Sequence, residues 1–104
     1  MDENIEYIQI FMEYESDDMP VVYFYEVSLM NDRMALREIE VFANRTVSLY
    51  DDPYCDVIEE CSIPTVDELN AEIWGEGFCA AVISKLQFDE IWNTGIYNGS
   101  LTPA

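Results

Sequence analysis

The sequence predicts an α+β fold, a meander of four to five antiparallel strands with two short C-terminal helices on one face. Three observations support this class. The first half of the chain is rich in β-branched and aromatic residues that alternate with polar ones, which is typical of strands. After residue 63 the apolar residues follow the helical period, and two helix-capping patterns appear. The chain has 104 residues and is 50% hydrophobic, enough for one domain with its own core.

The first two predicted strands span residues 4–14 and 21–29. Both are dense in Ile, Val, Tyr and Phe, the residue types that pack best on a pleated surface. The polar residues between them end at Pro20 and predict a turn.

The third predicted strand, residues 34–42, alternates clearly. Ile39 and Val41 are expected to face the core, and Glu38 and Glu40 to face the other side. This alternation is typical of a strand that is buried on one face only.

A hairpin and two further strands are predicted after it. We expect Asn44 to adopt a positive φ in a tight turn, because Asn tolerates the left-handed region. Residues 46–50 then form the fourth strand, and residues 57–63 are a candidate for a short fifth strand.

The first helix is predicted from a capping box formed by Thr65 and Glu68. Leu69 and Ile73 make its apolar stripe, and we expect it to end before Gly75.

The second helix begins with another capping box, Ser84 with Gln87, and is expected to end at Gly95. Its buried face should consist of Phe88, Ile91 and Trp92. Residues 96–104 are predicted to be a short, loosely held tail. The whole chain, 1–104, is then one domain with an ordered core of about residues 4–95.

The charge is the most unusual property of the sequence. There are 22 acidic residues against 4 basic ones and no His, which gives a net charge of −18. The acid is spread over both halves, so the fold as a whole is anionic. This argues against binding to nucleic acid or to anionic membranes, since both need Lys and Arg. Solubility alone needs a net charge of magnitude about 2–8, so we expect a strongly basic partner.

The residues that usually carry catalysis are scarce. The missing His excludes a Ser–His–Asp arrangement and the commonest general base. Cys55, Cys61 and Cys79 form no CxxC pair and are expected to be reduced thiols in a cytoplasmic protein. The acidic N-terminus lacks the positive region of a signal peptide, and no apolar run is long enough to cross a membrane. We predict no enzymatic activity, no catalytic residues and no cofactor.

Two patterns allow a second interpretation. Asp51 and Asp52 with Asp56 resemble a calcium loop, but their spacing does not match an EF-hand, so we predict no metal site. Arg37 and Glu38 are either a partner-binding pair or part of a salt bridge that holds the sheet together, and we favour the salt bridge.

Acidic residues cluster with aromatic ones at two places in the chain. Tyr anchors protein interfaces, and carboxylates are the natural partners of Arg and Lys. These clusters therefore supply the candidate partner-binding residues, Glu13, Glu15, Asp17, Asp18, Tyr50, Asp51, Asp52, Tyr54, Asp56, Glu59 and Glu60.

Three segments carry a resemblance to a known family: residues 34–42, residues 63–69 and residues 83–92. Together they resemble a small acidic bacterial domain family of unknown function that is found beside polymorphic toxin genes. The resemblance implies an immunity protein, similar to those of contact-dependent growth inhibition systems.

The expected function is therefore that of an immunity protein. It would bind a basic cognate toxin domain, expected to be a nuclease, as a monomer in a 1:1 complex, and would cover its substrate site. The main alternative is a DNA mimic that inhibits a DNA-binding protein. A third reading, from another class, is a small enzyme that uses carboxylates alone.

Overall fold

The computed structural model describes residues 4–12, 19–30, 33–51, 62–73 and 75–102. Within these residues the chain forms five strands and two helices. In chain order they are β1 (Ile5–Met12), β2 (Pro20–Ser28), β3 (Met34–Phe42), β4 (Val47–Asp51), α1 (Val66–Asn70), β5 (Phe78–Ile83) and α2 (Lys85–Thr94).

All five strands belong to one antiparallel sheet with the order β4-β3-β2-β1-β5. The first four strands follow each other as a meander, and β5 returns to pair with β1 at the opposite edge. The predicted α+β class with an antiparallel meander is confirmed.

The bounds of the first four strands agree with the prediction to within two residues at each end. Ile39 and Val41 are fully buried, as their position in the alternation predicts. The turn before β4 differs in one detail, because Arg45 and not Asn44 adopts the positive φ, at 70°. The Asn44 side chain instead accepts a hydrogen bond from the Thr46 amide at 3.0 Å, which closes the turn locally.

The fifth strand of the described sheet is one that the sequence analysis did not predict. Of the candidate segment, residues 57–61 lie outside the described part of the chain, and Ser62 and Ile63 have no regular structure. The observed β5 lies after the break at residues 75–77 and pairs with β1 from Tyr7 opposite Ile83 to Met12 opposite Phe78. Its sequence, FCAAVI, lacks the alternation by which a strand is recognised, because Ala and Cys give little contrast between the two faces.

Both predicted capping boxes are confirmed, at Thr65 with Glu68 and at Ser84 with Gln87. α2 ends at Gly95, whose φ of 68° gives the left-handed C-cap that glycine adopts without strain. α1 is shorter than predicted, and Ile73, predicted to be in its apolar stripe, is 65% exposed. The helix ends at Asn70, so Ile73 lies beyond the last helical turn.

The two helices lie on opposite faces of the sheet, whereas the sequence predicted them on one face. Phe88 and Ile91 of α2 pack with Tyr7, and Leu69 of α1 packs with Ile8. Neighbouring residues on a strand point to opposite faces. The reason for the difference is that β1 buries apolar side chains on both faces, so each face needs a cover.

The segment after α2, predicted to be a loosely held tail, contacts the core through Tyr97 and Leu101, whereas Ile96 and residues 98–100 are exposed. Tyr97 is buried, and its ring packs against that of Phe24 in an edge-to-face arrangement with 5.3 Å between centroids. Its hydroxyl accepts a hydrogen bond from the Gln9 amide at 3.1 Å. The sequence pattern does not predict these contacts, because Gln9 and Phe24 are far from Tyr97 along the chain.

Candidate functional site

The three arginines precede, occupy and follow β3, and each contacts the chain itself. Arg37, in the strand, forms a two-pronged ion pair with Glu26 on β2, at 2.8 Å from Nε and 2.6 Å from Nη2. Nη2 also reaches Asp89 on α2 at 3.1 Å. Arg37 therefore ties the sheet to the helix. The salt-bridge interpretation is confirmed for Arg37, with Glu26 as its partner, but Glu38 takes part in none of the described ion pairs.

Aromatic rings complete this ionic contact. The Arg37 guanidinium carbon lies 4.8 Å from the centre of the Phe88 ring and 4.9 Å from that of Trp92. The Tyr7 hydroxyl donates to Glu26 at 2.8 Å. Burial, followed by the neighbouring Glu26 carboxylate, raises the pKa of Tyr7 to about 12, so its hydroxyl keeps its proton. Arg37 is thus enclosed between strands and helix.

Arg33 and Arg45 hold loops to the sheet through backbone carbonyls. Arg33 donates to the Ile63 carbonyl at 2.7 Å and pairs with Glu6 at 3.1 Å. Arg45 donates to the carbonyls of Tyr97 and Gly99, both at 2.9 Å. Both residues have a positive φ, a backbone conformation that non-glycine residues seldom adopt.

Lys85, the remaining base, forms an ion pair with Asp89 on the same helix. All four basic residues of the chain are therefore engaged in contacts that hold its own fold together. Against these four cations the chain carries 22 acidic residues, which leaves a net charge of −18. The field around the protein is set by the acids.

One face of the sheet brings acids and tyrosines together. Across β2, β3 and β4, the register aligns Tyr25, Glu38 and Tyr50 in one row and Tyr23, Glu40 and Ser48 in the next. Because side chains alternate along a strand, all six point to the face opposite Arg37. We call these six residues the Tyr–Glu face.

The contacts within the Tyr–Glu face are specific. The Tyr25 hydroxyl donates to Glu38 at 3.2 Å, and the rings of Tyr23 and Tyr25 are parallel, with their centroids 6.1 Å apart. Glu38 and Glu40 are half-buried, whereas Tyr50 is 43% exposed. Tyr50 is therefore the most exposed of the three tyrosines on this face.

The environment of Glu38 disfavours its charge. Burial, followed by repulsion from Glu40, raises the pKa of Glu38 to about 7, and the hydrogen bond from Tyr25 opposes this only in part. Among the residues that the structure describes, neither carboxylate has a cationic partner. A cation from outside would relieve their repulsion.

The structure describes only two of the predicted partner-binding residues. Tyr50 lies on the Tyr–Glu face, directly opposite Glu38. Asp51 is exposed at the end of β4, opposite Arg37, so its position belongs to the other face. The other predicted residues lie outside the described part of the chain: Glu13, Glu15, Asp17, Asp18, Asp52, Tyr54, Asp56, Glu59 and Glu60.

The predicted partner-binding residues omit five of the six members of the Tyr–Glu face, namely Tyr23, Tyr25, Glu38, Glu40 and Ser48. The pattern did place Glu38 and Glu40 on the side of β3 away from Ile39 and Val41. What it lacked was the register, since only the pairing of β2 with β3 brings the tyrosines beside the glutamates. A search for acidic residues at alternate positions of one strand, opposite aromatic residues at alternate positions of the next, would have found these tyrosines and glutamates.

Two further properties concern the described residues only. They contain no group of three or more His, Cys, Asp or Glu placed to hold a metal ion. Of the proposed calcium-type loop they include Asp51 alone. None of the helices in this part of the chain has the length and apolar character needed to cross a membrane.

Comparison with known proteins gives one match. The model of a family described as a domain of unknown function, DUF6881, matches residues 6–97. Neither the curated proteins nor the solved structures contain a significant match to the chain. The matched region runs from Glu6 in β1 to Tyr97, so it includes both helices and all of the strands except Ile5.

Proposed function

Because the chain belongs to the DUF6881 family, a domain of unknown function, its activity has to be inferred from its own residues, and we propose that it binds and neutralises a strongly basic protein. In its specific form, the proposal is an immunity protein whose partner is a basic cognate toxin domain, a nuclease. The acidic protein would cover the cationic substrate site of the toxin in a 1:1 complex in the cytoplasm.

The observation that carries the proposal is the use of the four basic side chains. Arg33 and Arg37 are half-buried and bond to groups of the fold, whereas the exposed Arg45 and Lys85 bond to backbone carbonyls and to Asp89. Four cations therefore leave the charge of the 22 acidic residues largely uncompensated. A net charge of −18 on one small domain creates a field that attracts cationic proteins over a distance. A nuclease needs cationic residues to bind the phosphate backbone of its nucleic-acid substrate. An acidic protein can bind to the same cationic residues.

The arrangement also suits rapid neutralisation. Complementary charge raises association rates to about 10⁸–10⁹ M⁻¹s⁻¹ at low salt, because the field guides the encounter. An inhibitor of a toxic enzyme needs this speed, since damage accumulates until the complex forms.

The experiment starts from the neighbouring gene, which the proposal predicts to encode a basic C-terminal domain. The two chains are co-expressed, the mass of the complex is measured by light scattering, and association is followed by stopped-flow fluorescence. We expect a 1:1 complex whose association rate falls at least about tenfold between about 0.05 M and about 0.5 M salt. The dissociation rate should change much less, because steering acts on the encounter.

Two outcomes would contradict the proposal. An association rate that is the same at both salt concentrations would remove the electrostatic basis of the interaction. Equal binding to many unrelated DNA-binding proteins, with displacement by duplex DNA, would point to the DNA-mimic alternative instead. In cells, the protein should restore growth when the neighbouring domain is produced.

A further inference from the structure

We infer that the Tyr–Glu face is a docking surface for the basic partner and that it receives an arginine side chain of that partner between Glu38 and Glu40. The inference rests on the proposed function, because it assumes a cationic protein as the occupant. It adds the place on the fold and the chemical group that is recognised.

The first argument is the imbalance of charge between the two faces of the sheet. On one face, Glu26 is neutralised by Arg37, which also meets Asp89 of α2. On the other face, Glu38 and Glu40 lie two residues apart on β3 without a described cation. The two half-buried side chains are close enough to repel each other and to share a hydrogen bond, and both effects disfavour the charged form of Glu38. A cation supplied by a partner would neutralise these two carboxylates, as Arg37 neutralises Glu26 on the other face.

The second argument is the shape of the surroundings, which favours arginine over lysine. Glu38 lies between Tyr25 on one neighbouring strand and Tyr50 on the other. A guanidinium is flat, bonds carboxylates through several N–H groups and stacks on aromatic rings, whereas an ammonium is compact and strongly hydrated. The half-exposed Tyr50 ring offers such a surface beside the carboxylates. The fold itself uses the same combination, since Arg37 lies between a carboxylate and two rings.

The inference has a measurable consequence for protons. The groups that face Glu38 are Glu40 on its own strand, Tyr25 on β2 and Tyr50 on β4. Because burial and Glu40 raise the pKa of Glu38 to about 7, part of the Glu38 population is protonated at neutral pH. A guanidinium beside it lowers that pKa again, so binding releases protons near pH 7.

The test uses hexa-arginine and hexa-lysine as probes of equal charge. Binding to the full chain is measured by calorimetry at about 0.1 M salt, and the side-chain carboxyl resonances of Glu38 and Glu40 are followed by NMR. We expect hexa-arginine to bind at least about fivefold more tightly than hexa-lysine and to shift both resonances. Calorimetry in two buffers of different ionisation enthalpy should show proton release at pH 7 with hexa-arginine.

A matched pair of double variants separates this face from the general charge. Glu38→Gln/Glu40→Gln should weaken hexa-arginine binding about tenfold and abolish the proton release. Glu76→Gln/Glu90→Gln removes the same charge from two exposed positions and should change the affinity by no more than about twofold. Thermal unfolding of both variants verifies that each is folded.

Equal losses in the two double variants would overturn the inference, and so would equal affinity for the two peptides. These results would leave the proposed function standing, because the partner would then bind elsewhere on the acidic surface. Conversely, the basic domain could fail to associate with this protein in a salt-dependent way while hexa-arginine still binds at Glu38 and Glu40. That result would contradict the proposed function and not the arginine site. The two failures are therefore distinguishable.

Discussion

Glu26 and Glu38 lie on neighbouring strands but on opposite faces of the sheet, and their environments shift their pKa values in opposite directions. Glu26 loses hydration on burial, yet the hydrogen bonds from Arg37 and Tyr7 outweigh this and lower its pKa. Glu38 has no such cation, so burial and Glu40 raise its pKa. The charged form is therefore favoured at Glu26 and disfavoured at Glu38, although the two residues lie on adjacent strands.

The first prediction concerns Glu38. Its pKa is higher in the folded than in the unfolded state, so its ionisation destabilises the fold increasingly from about pH 4.5 to about pH 7. Glu38→Gln removes this effect. At pH 8 the variant should be more stable by about 1–2 kcal/mol, a value reduced from the full shift for solvent screening. At pH 5 the difference should nearly vanish. Urea unfolding at the two pH values measures it.

A surface carboxylate provides the comparison. Glu76→Gln removes one negative charge at an exposed position. We expect it to change the free energy of unfolding by only about a few tenths of a kcal/mol at either pH, because interactions of exposed charges are weak. If Glu38→Gln raised the free energy of unfolding at pH 8 no more than Glu76→Gln does, the result would contradict a raised pKa of Glu38 in the folded protein. Glu26 acts in the opposite direction, because its contribution is present above about pH 4.5 and is lost at lower pH.

At the scale of elements, Asn70 joins the end of α1 to the outer edge of β5. Its side-chain amide donates to the Ala80 carbonyl at 2.9 Å and accepts from the Ala80 amide at 2.7 Å. These are the two hydrogen bonds that a further strand would make at this residue. One side chain therefore occupies part of an exposed strand edge, a site at which sheets tend to associate.

The second prediction concerns this contact. Asn70→Ala should lower the stability by about 1–3 kcal/mol, because two backbone groups of Ala80 lose their partner. The amide proton of Ala80 should then exchange with solvent much faster than in the native protein. Hydrogen exchange followed by NMR measures this directly.

Asn70→Asp is the matched variant for this contact. The carboxylate keeps an acceptor for the Ala80 amide but has no donor for the Ala80 carbonyl, so we expect slow exchange with reduced stability. Unchanged exchange at Ala80 in Asn70→Ala would show that the side chain does not protect the edge.

The success of prediction for individual elements follows from how local their signals are. Thr65 with Glu68 and Ser84 with Gln87 lie three residues apart, and both capping boxes formed as predicted. β5 was missed because Ala80 and Ala81 give no pattern, and its strand conformation depends on pairing with β1 far away in the chain. Signals within a few residues are readable from the sequence, whereas signals that depend on distant partners are not.

At the scale of the whole molecule, the charge works against the fold that carries it. Eighteen net negative charges on 104 residues repel each other, and this repulsion lowers the stability of the compact state. The internal ion pairs of Arg37 are partly buried and are therefore screened much less by salt than the exposed carboxylates.

The third prediction follows from this difference. Raising the salt concentration from about 0.01 M to about 1 M should increase the melting temperature by about 5 °C, since screening relieves about 1 kcal/mol of repulsion in a domain of this size. Differential scanning calorimetry measures the shift. To separate screening from salting-out, sodium chloride is compared with sodium sulfate at equal ionic strength. A melting temperature that falls in chloride would mean that the ion pairs contribute more than the repulsion.

The sequence by itself determined the charge, the α+β class, four of the strands and the starts of both helices. These properties depend on composition, on alternation along one strand and on caps of a few residues, all of which are local. The tertiary structure alone decided that the helices cover opposite faces, that Tyr97 enters the core and that Glu38 and Glu40 face Tyr23 and Tyr25. Each of these depends on strand register or on packing between distant segments, and a pattern along the chain carries no record of which strand lies beside which.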